Sequence, residues 1–72
     1  MAKYKIWVDE EGFIPRIAND KDEAIKIFDE ETKRVNEKYG YEFMTVAEMI
    51  EEQDDDFDNL IEGCDFIYCE KI

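Results

Sequence analysis

Asp54, Asp56, Asp58 and Asp65 stand at positions one, three, five and twelve of a twelve-residue segment, the spacing at which a calcium loop presents oxygen ligands. The segment departs from such a loop at the positions that matter. Position six is Asn59 where the sharp turn needs glycine, position eight is Ile61, and position twelve is an aspartate rather than the longer, bidentate glutamate. The residues after it, CDFIYCEKI, have the pattern of a strand rather than of an exiting helix. In a run this acidic, carboxylates fall at such offsets by chance, so a weak calcium module is the second alternative and no metal or other cofactor is expected.

Nucleophilic chemistry is equally short of parts. The chain has no histidine and no serine, which excludes the common triads, the usual zinc sets and an imidazole base. Cys64 and Cys69 are the only thiols, and their neighbours are acids, which raise a thiol pKa and quench its reactivity. Five apart in what reads as one strand, they point to opposite faces and stay free. No Gly-rich loop is present, and an enzyme is not expected.

What remains is unbalanced charge. Glu48, Glu51, Glu52, Asp54, Asp55, Asp56, Asp58 and Glu62 follow one another with no Lys or Arg between Glu42 and Glu70. Residues 1–41 hold ten acids and eight bases, whereas residues 42–72 hold eleven acids and one base. If Thr45 to Glu62 is one helix, kinked or split at the three aspartates, these eight acids span roughly 21 Å, about one charge per 2.6 Å. Duplex DNA carries one per ~1.7 Å and a single strand one per ~3.4 Å, so the spacing lies between them.

A helix over Thr45–Glu62 would position that face. Val46, Met49, Ile50, Phe57, Leu60 and Ile61 fall on one stripe roughly 120° wide, leaving Glu51, Asp55 and Asp58 turned outward. Thr45 with Glu48 makes a reciprocal cap, and Gly63 suits a left-handed stop. Three consecutive aspartates compete for their own amides and are its weak point.

Earlier in the chain, Lys3–Asp9 alternates, with Tyr4, Ile6 and Val8 on one side and Lys5 and Trp7 on the other. Met1 and Ala2 are expected to be loose. Asp9–Gly12 is a turn cluster leading to a second strand over Phe13–Ile17, which Pro15 confines to an edge. Trp7 covers Ile14 or the stem of Arg16 across that hairpin, or else it is an exposed anchor for a partner. A helix begins at Asn19 or Asp20 and ends at Tyr39–Gly40, with Ile25, Phe28, Thr32, Val35 and Tyr39 inward and Ala24 at the margin. Ile27 lies well off that stripe, touching another element or remaining exposed as a second anchor. Asp22–Lys26, Asp29–Lys33 and Glu30–Arg34 have the spacing of helix-surface ion pairs. Tyr41–Met44 is an extended connector, and Cys64–Lys71 the last strand, with Phe66 and Tyr68 on one face and Ile67 and Cys69 on the other. The order β-β-α-α-β predicts a small two-layer α+β domain over residues 1–72, an antiparallel hairpin plus a C-terminal strand with two helices on one face.

Composition bounds the rest. Apolar residues at 44% argue for a folded core, and a net charge of −12 repels nucleic acid and anionic membranes, so a charged partner should be a basic protein. With no signal peptide and no long apolar run, a cytoplasmic location is expected, the host's for a phage protein.

The stretch Asp9–Ala24, with D-E-E-G-F in a turn and D-E-A opening a helix, looks like the start of HicB-type antitoxins and implies a protein-binding partner as one alternative. The acidic segment Glu48–Glu62 resembles phage nucleic-acid mimics, the anti-restriction and anti-CRISPR inhibitors. That resemblance implies a non-enzymatic inhibitor binding a basic nucleic-acid-binding groove, and this is the leading expectation.

Overall fold

The computed structural model describes residues 2–72. Met1, expected to be loose, lies outside them, and Ala2 packs against the core. The alternation of the N-terminal stretch becomes β1, Tyr4–Val8, with Tyr4, Ile6 and Val8 buried and Lys5 and Trp7 on the opposite face. The turn expected at Asp9–Gly12 forms, and Gly12 takes the positive φ of 79° that glycine tolerates at no steric cost.

β2 is Arg16–Ala18, later and shorter than the Phe13–Ile17 strand expected. Pro15 has no amide hydrogen to give the ladder, so pairing starts only beyond it and Ile14 is left 82% exposed. Tyr4 pairs with Ala18 and Ile6 with Arg16. α1, Lys21–Tyr39, is capped by the Asp20 carboxylate, which accepts from the Glu23 amide at 2.8 Å, and ends at Gly40 with φ 72°.

The proposed Thr45–Glu62 helix is broken. α2 is Val46–Gln53 and α3 is Phe57–Leu60, followed by a single 3-10 turn at Ile61–Gly63. Asp54 turns left-handed at φ 50° and closes α2 through its amide to the Ile50 carbonyl, 2.9 Å away. Asp55 then accepts from the Asp56 amide at 2.7 Å and the Asn59 side chain at 3.2 Å. Of the three aspartates, Asp55 takes a local backbone amide with its side chain, the competition expected of aspartate in a helix.

β3, Ile67–Lys71, pairs antiparallel with β1 to give the order β2-β1-β3. It starts three residues later than expected, because Phe66 has a φ of 72° and leaves the strand geometry. Ile67 and Cys69 face the core with Tyr4, Ile6 and Val8, and α1 crosses that side of all three strands. The predicted α+β class and order β-β-α-α-β hold, with α3 as an added short piece. Val46, Phe57, Leu60 and Ile61 are buried as the apolar stripe required, while Met49 and Ile50 pack partly buried at its margin.

Of the two alternatives for Ile27, contact with another element is the one that forms, whereas Tyr39 departs from expectation. Ile27 is buried, 6% exposed, because a helix lying across three strands buries a wider arc than one stripe. It shares a cleft with Arg16 and Ile17, so it cannot be an exposed anchor. Tyr39, expected inward, is 41% exposed.

Candidate interaction surface

Thr45 and Asp29 between them fix the start of α2. The Thr45 hydroxyl accepts from the Glu48 amide at 3.2 Å and donates to the Glu48 carboxylate at 2.9 Å. Asp29 of α1 accepts from the amides of Val46 at 2.6 Å and Ala47 at 3.2 Å. Burial pushes the Asp29 carboxyl above its usual value, and those two amides pull the other way. The helix carrying the first acids is thus pinned to α1 by its own orphan donors.

Of the eight expected acids all but Asp58 are exposed, and among the described residues six of them, Glu48, Glu51, Glu52, Asp54, Asp55 and Glu62, have no Lys or Arg nitrogen within 4.0 Å. Glu48, Glu51 and Glu52 line one shallow depression on α2. Asp56 and Asp58 are different, since Lys21 at the start of α1 reaches both, at 3.4 and 3.6 Å. Their two negative charges push the Lys21 ammonium above its ordinary pKa.

Asp58, expected to point outward, is tied to the core. It accepts from the buried Tyr4 hydroxyl at 2.8 Å, which holds its carboxyl below the usual carboxylate range. With the helix broken at Asp54 and Asp58 turned to Tyr4 and Lys21, the eight acids do not share one continuous helical face. The exposed, cation-free acids instead lie on α2, in the turn after it and, as Glu62, in the 3-10 turn beyond α3.

The calcium alternative does not assemble. Among the described residues no three acids or thiols come together to hold an ion, and the space beside Asp56 and Asp58 is taken by Lys21. Asp54 instead closes α2 as its left-handed cap, and Asp65 lies apart, before β3. Cys64 and Cys69 are free thiols, and burial pushes the Cys69 thiol up to about 12, which leaves it a poor nucleophile.

Trp7 neither covers Ile14 nor projects as a free anchor. It stacks on Tyr68 of β3, ring centres 5.4 Å apart, with the Lys5 ammonium 5.2 Å over its ring. The ion pairs expected along α1 are also replaced. Glu31, 7% exposed, takes Arg16 at 3.1 Å and Arg34 at 2.8 Å, and Arg34 continues to Glu10 at 2.6 Å. Glu10 also binds Lys38 and the Tyr39 hydroxyl. Sequence reasoning missed this network, which joins Glu10 of the hairpin turn to a helix that begins eleven residues later. A glutamate in a turn carries no signal of which distant cation it will meet.

A second feature that spacing did not indicate is a cluster of rings. Tyr39 stacks on Tyr41 at 5.4 Å, Tyr41 meets Phe43 edge-on at 5.2 Å, and Phe66 touches all three. Asn36 clamps the connector from α1, its side chain donating to the Phe43 carbonyl at 2.9 Å and accepting from the Phe43 amide at 3.0 Å. Among the described residues no helix is long and apolar enough to cross a membrane. Comparison with protein families, with curated proteins and with solved structures finds no match for this chain.

Proposed function

We propose that the protein is a non-enzymatic inhibitor that lays the acids of α2 and its following turn against a basic, nucleic-acid-binding surface of another protein, as phage anti-restriction and anti-CRISPR proteins do, in the cytoplasm of a host. The observation that carries this reading is the exposed set Glu48, Glu51, Glu52, Asp54, Asp55 and Glu62, with no cation against any of them among the described residues. Glu10 and Glu31, by contrast, are each held by two cations, Glu10 by Arg34 and Lys38 and Glu31 by Arg16 and Arg34. Clustered like charge costs a small domain stability, and a partner rich in Lys and Arg offsets that cost on binding. Because the acids are divided between one short helix, the turn after it and the 3-10 turn beyond α3, they suit a patch of cations rather than a long straight track.

The test is competition and salt. A basic enzyme captured from the native host should lose affinity for this protein on the order of tenfold or more between about 50 and 200 mM salt. Its nucleic-acid ligand should compete for the same surface. Binding that is indifferent to both salt and nucleic acid overturns the proposal.

A further inference from the structure

Tyr39, Tyr41, Phe43 and Met44 are 41, 45, 39 and 36% exposed, and they adjoin one another along the end of α1 and the connector. Contiguous exposed apolar surface on a small monomer marks an interaction site more often than scattered single residues do. Beside the rings opens a cavity of about 240 Å³ lined by Phe28, Thr32, Phe43, Met44, Met49 and Cys64. That is below the ~300–1,000 Å³ range of small-molecule sites and suits one large side chain. Two methionines in the wall give it an adaptable lining.

The surface is held in shape before anything binds. Asn36 fixes the Phe43 backbone from both sides, and Phe66 supports three rings from below at a φ of 72°. A connector ordered in this way loses little entropy on docking. Its surroundings are acidic: Glu42 stands exposed between Tyr41 and Phe43, Asp65 belongs to the cavity wall, and Glu52 lies one turn from Met49 on α2. The cation against the rings, Lys38 over Tyr39 at 5.2 Å, is itself bound by Glu10.

We infer that this cavity is a socket for one large apolar side chain flanked by Lys or Arg on the partner's protein surface. The apolar walls take the side chain and the acids beside them take its neighbours, which sets a protein segment apart from nucleic acid or a lipid. The socket presupposes the basic partner proposed above, so its test must fail separately from that reading.

The full chain, labelled at its methionine methyls and backbone amides, is titrated by NMR with the amidated peptides Lys-Lys-Phe-Lys-Lys, Lys-Lys-Ser-Lys-Lys and Glu-Glu-Phe-Glu-Glu. The first should bind saturably, shift the Met44 and Met49 methyls, and outbind the other two by about tenfold or more. Phe43→Ala, checked by its melting curve, should reduce that preference for phenylalanine over serine to near unity. If both lysine peptides bind alike, with shifts confined to the Glu51 and Glu52 amides, the socket is wrong and the basic partner survives. If neither lysine peptide binds, both are wrong. Equal binding of the glutamate peptide overturns the cationic flanks. Concentration-dependent Met44 shifts in peptide-free protein would name a second copy as the occupant and overturn the proposal.

Discussion

The buried hydroxyl of Tyr4 donates to Asp58 across fifty-four residues of sequence, at 2.8 Å, while the ring of Phe57 packs edge-on to Tyr4 at 5.4 Å. Two consecutive residues of α3 therefore grip the first strand, one through its ring and one through its charge. Burial first, and the Asp58 carboxylate second, push the Tyr4 hydroxyl up to about 12. Asp58 thus belongs to the fold before it belongs to any acidic surface.

Tyr4→Phe should cost about 1 kcal/mol, since Asp58 then falls back on water and Lys21. Asp58→Lys should cost more, about 2 kcal/mol, because it sets an ammonium against Lys21 and under the Tyr4 hydroxyl. Urea denaturation reads both. The raised Tyr4 pKa adds an alkaline signature: its stabilisation is complete below about pH 10 and is lost as pH rises through about 12. Tyr4→Phe should flatten that decline, and an unchanged alkaline slope would remove the contact from the account.

Reversing Glu51, Glu52 and Glu62 to Lys separates the acidic surface from the fold. All three are exposed, and no hydrogen bond or ion pair engages their carboxylates among the described residues. The triple variant should melt at the wild-type temperature or higher, because it relieves like-charge repulsion, and should bind a basic partner on the order of a hundredfold more weakly. Wild-type affinity at low and physiological salt would rule the acidic surface out as the contact.

β1, the α1 caps and the β-β-α-α-β order were legible because each rests on local patterning: alternation in Tyr4–Val8, the Asp20 carboxylate before α1, Gly40 after it. The aspartate run was legible only as a weakness. Spacing shows that Asp54–Asp56 strains a helix, but whether the chain breaks depends on what Phe57 and Asp58 gain by reaching Tyr4. Those contacts are long-range, as are Arg34 to Glu10 and Asp29 to the α2 amides. The ring cluster was hidden for a related reason, since Tyr41–Met44 has no periodicity and its shape comes from Asn36.

Asp54 tests the break directly. At φ 50° an aspartate is tolerated, glycine is favoured and a β-branched residue is strained. Asp54→Gly should leave stability unchanged or raise it by up to about 1 kcal/mol, while Asp54→Val should lower it by about 1–2 kcal/mol. Were valine tolerated as well as glycine, α2 would run on through the aspartates as one helix.

Glu10 sets the acid limit. The Arg34, Tyr39 and Lys38 partners bring its carboxyl down to about 2 from an ordinary 4.5. A depressed carboxylate stabilises the fold above its unfolded pKa, and that contribution is lost as pH falls from about 4.5 through 2. Glu10→Gln should therefore be less stable than wild type at neutral pH, and the gap between them should narrow below about pH 4.5 and close as pH falls through about 2. Parallel pH profiles for the two proteins would mean that the turn is not held by this charge.

Phe66 offers the sharpest test of backbone against side chain. Its ring touches Tyr39, Tyr41 and Phe43, yet its φ of 72° puts a bulky residue where few are found. Truncation to Ala removes the ring and keeps the strain, whereas truncation to Gly removes both. In an ordinary extended segment glycine is the worse of the two by roughly 0.5–1 kcal/mol, from the entropy of the unfolded chain. A left-handed residue reverses that order, because a Cβ costs about 1–2 kcal/mol there. Phe66→Gly should accordingly be about 0.5–1 kcal/mol more stable than Phe66→Ala, with both below wild type by the lost ring contacts. Should alanine prove the more stable, the chain relaxes out of the left-handed region once the ring is gone. The ring cluster, and not the turn before β3, would then be what holds Phe66 in place.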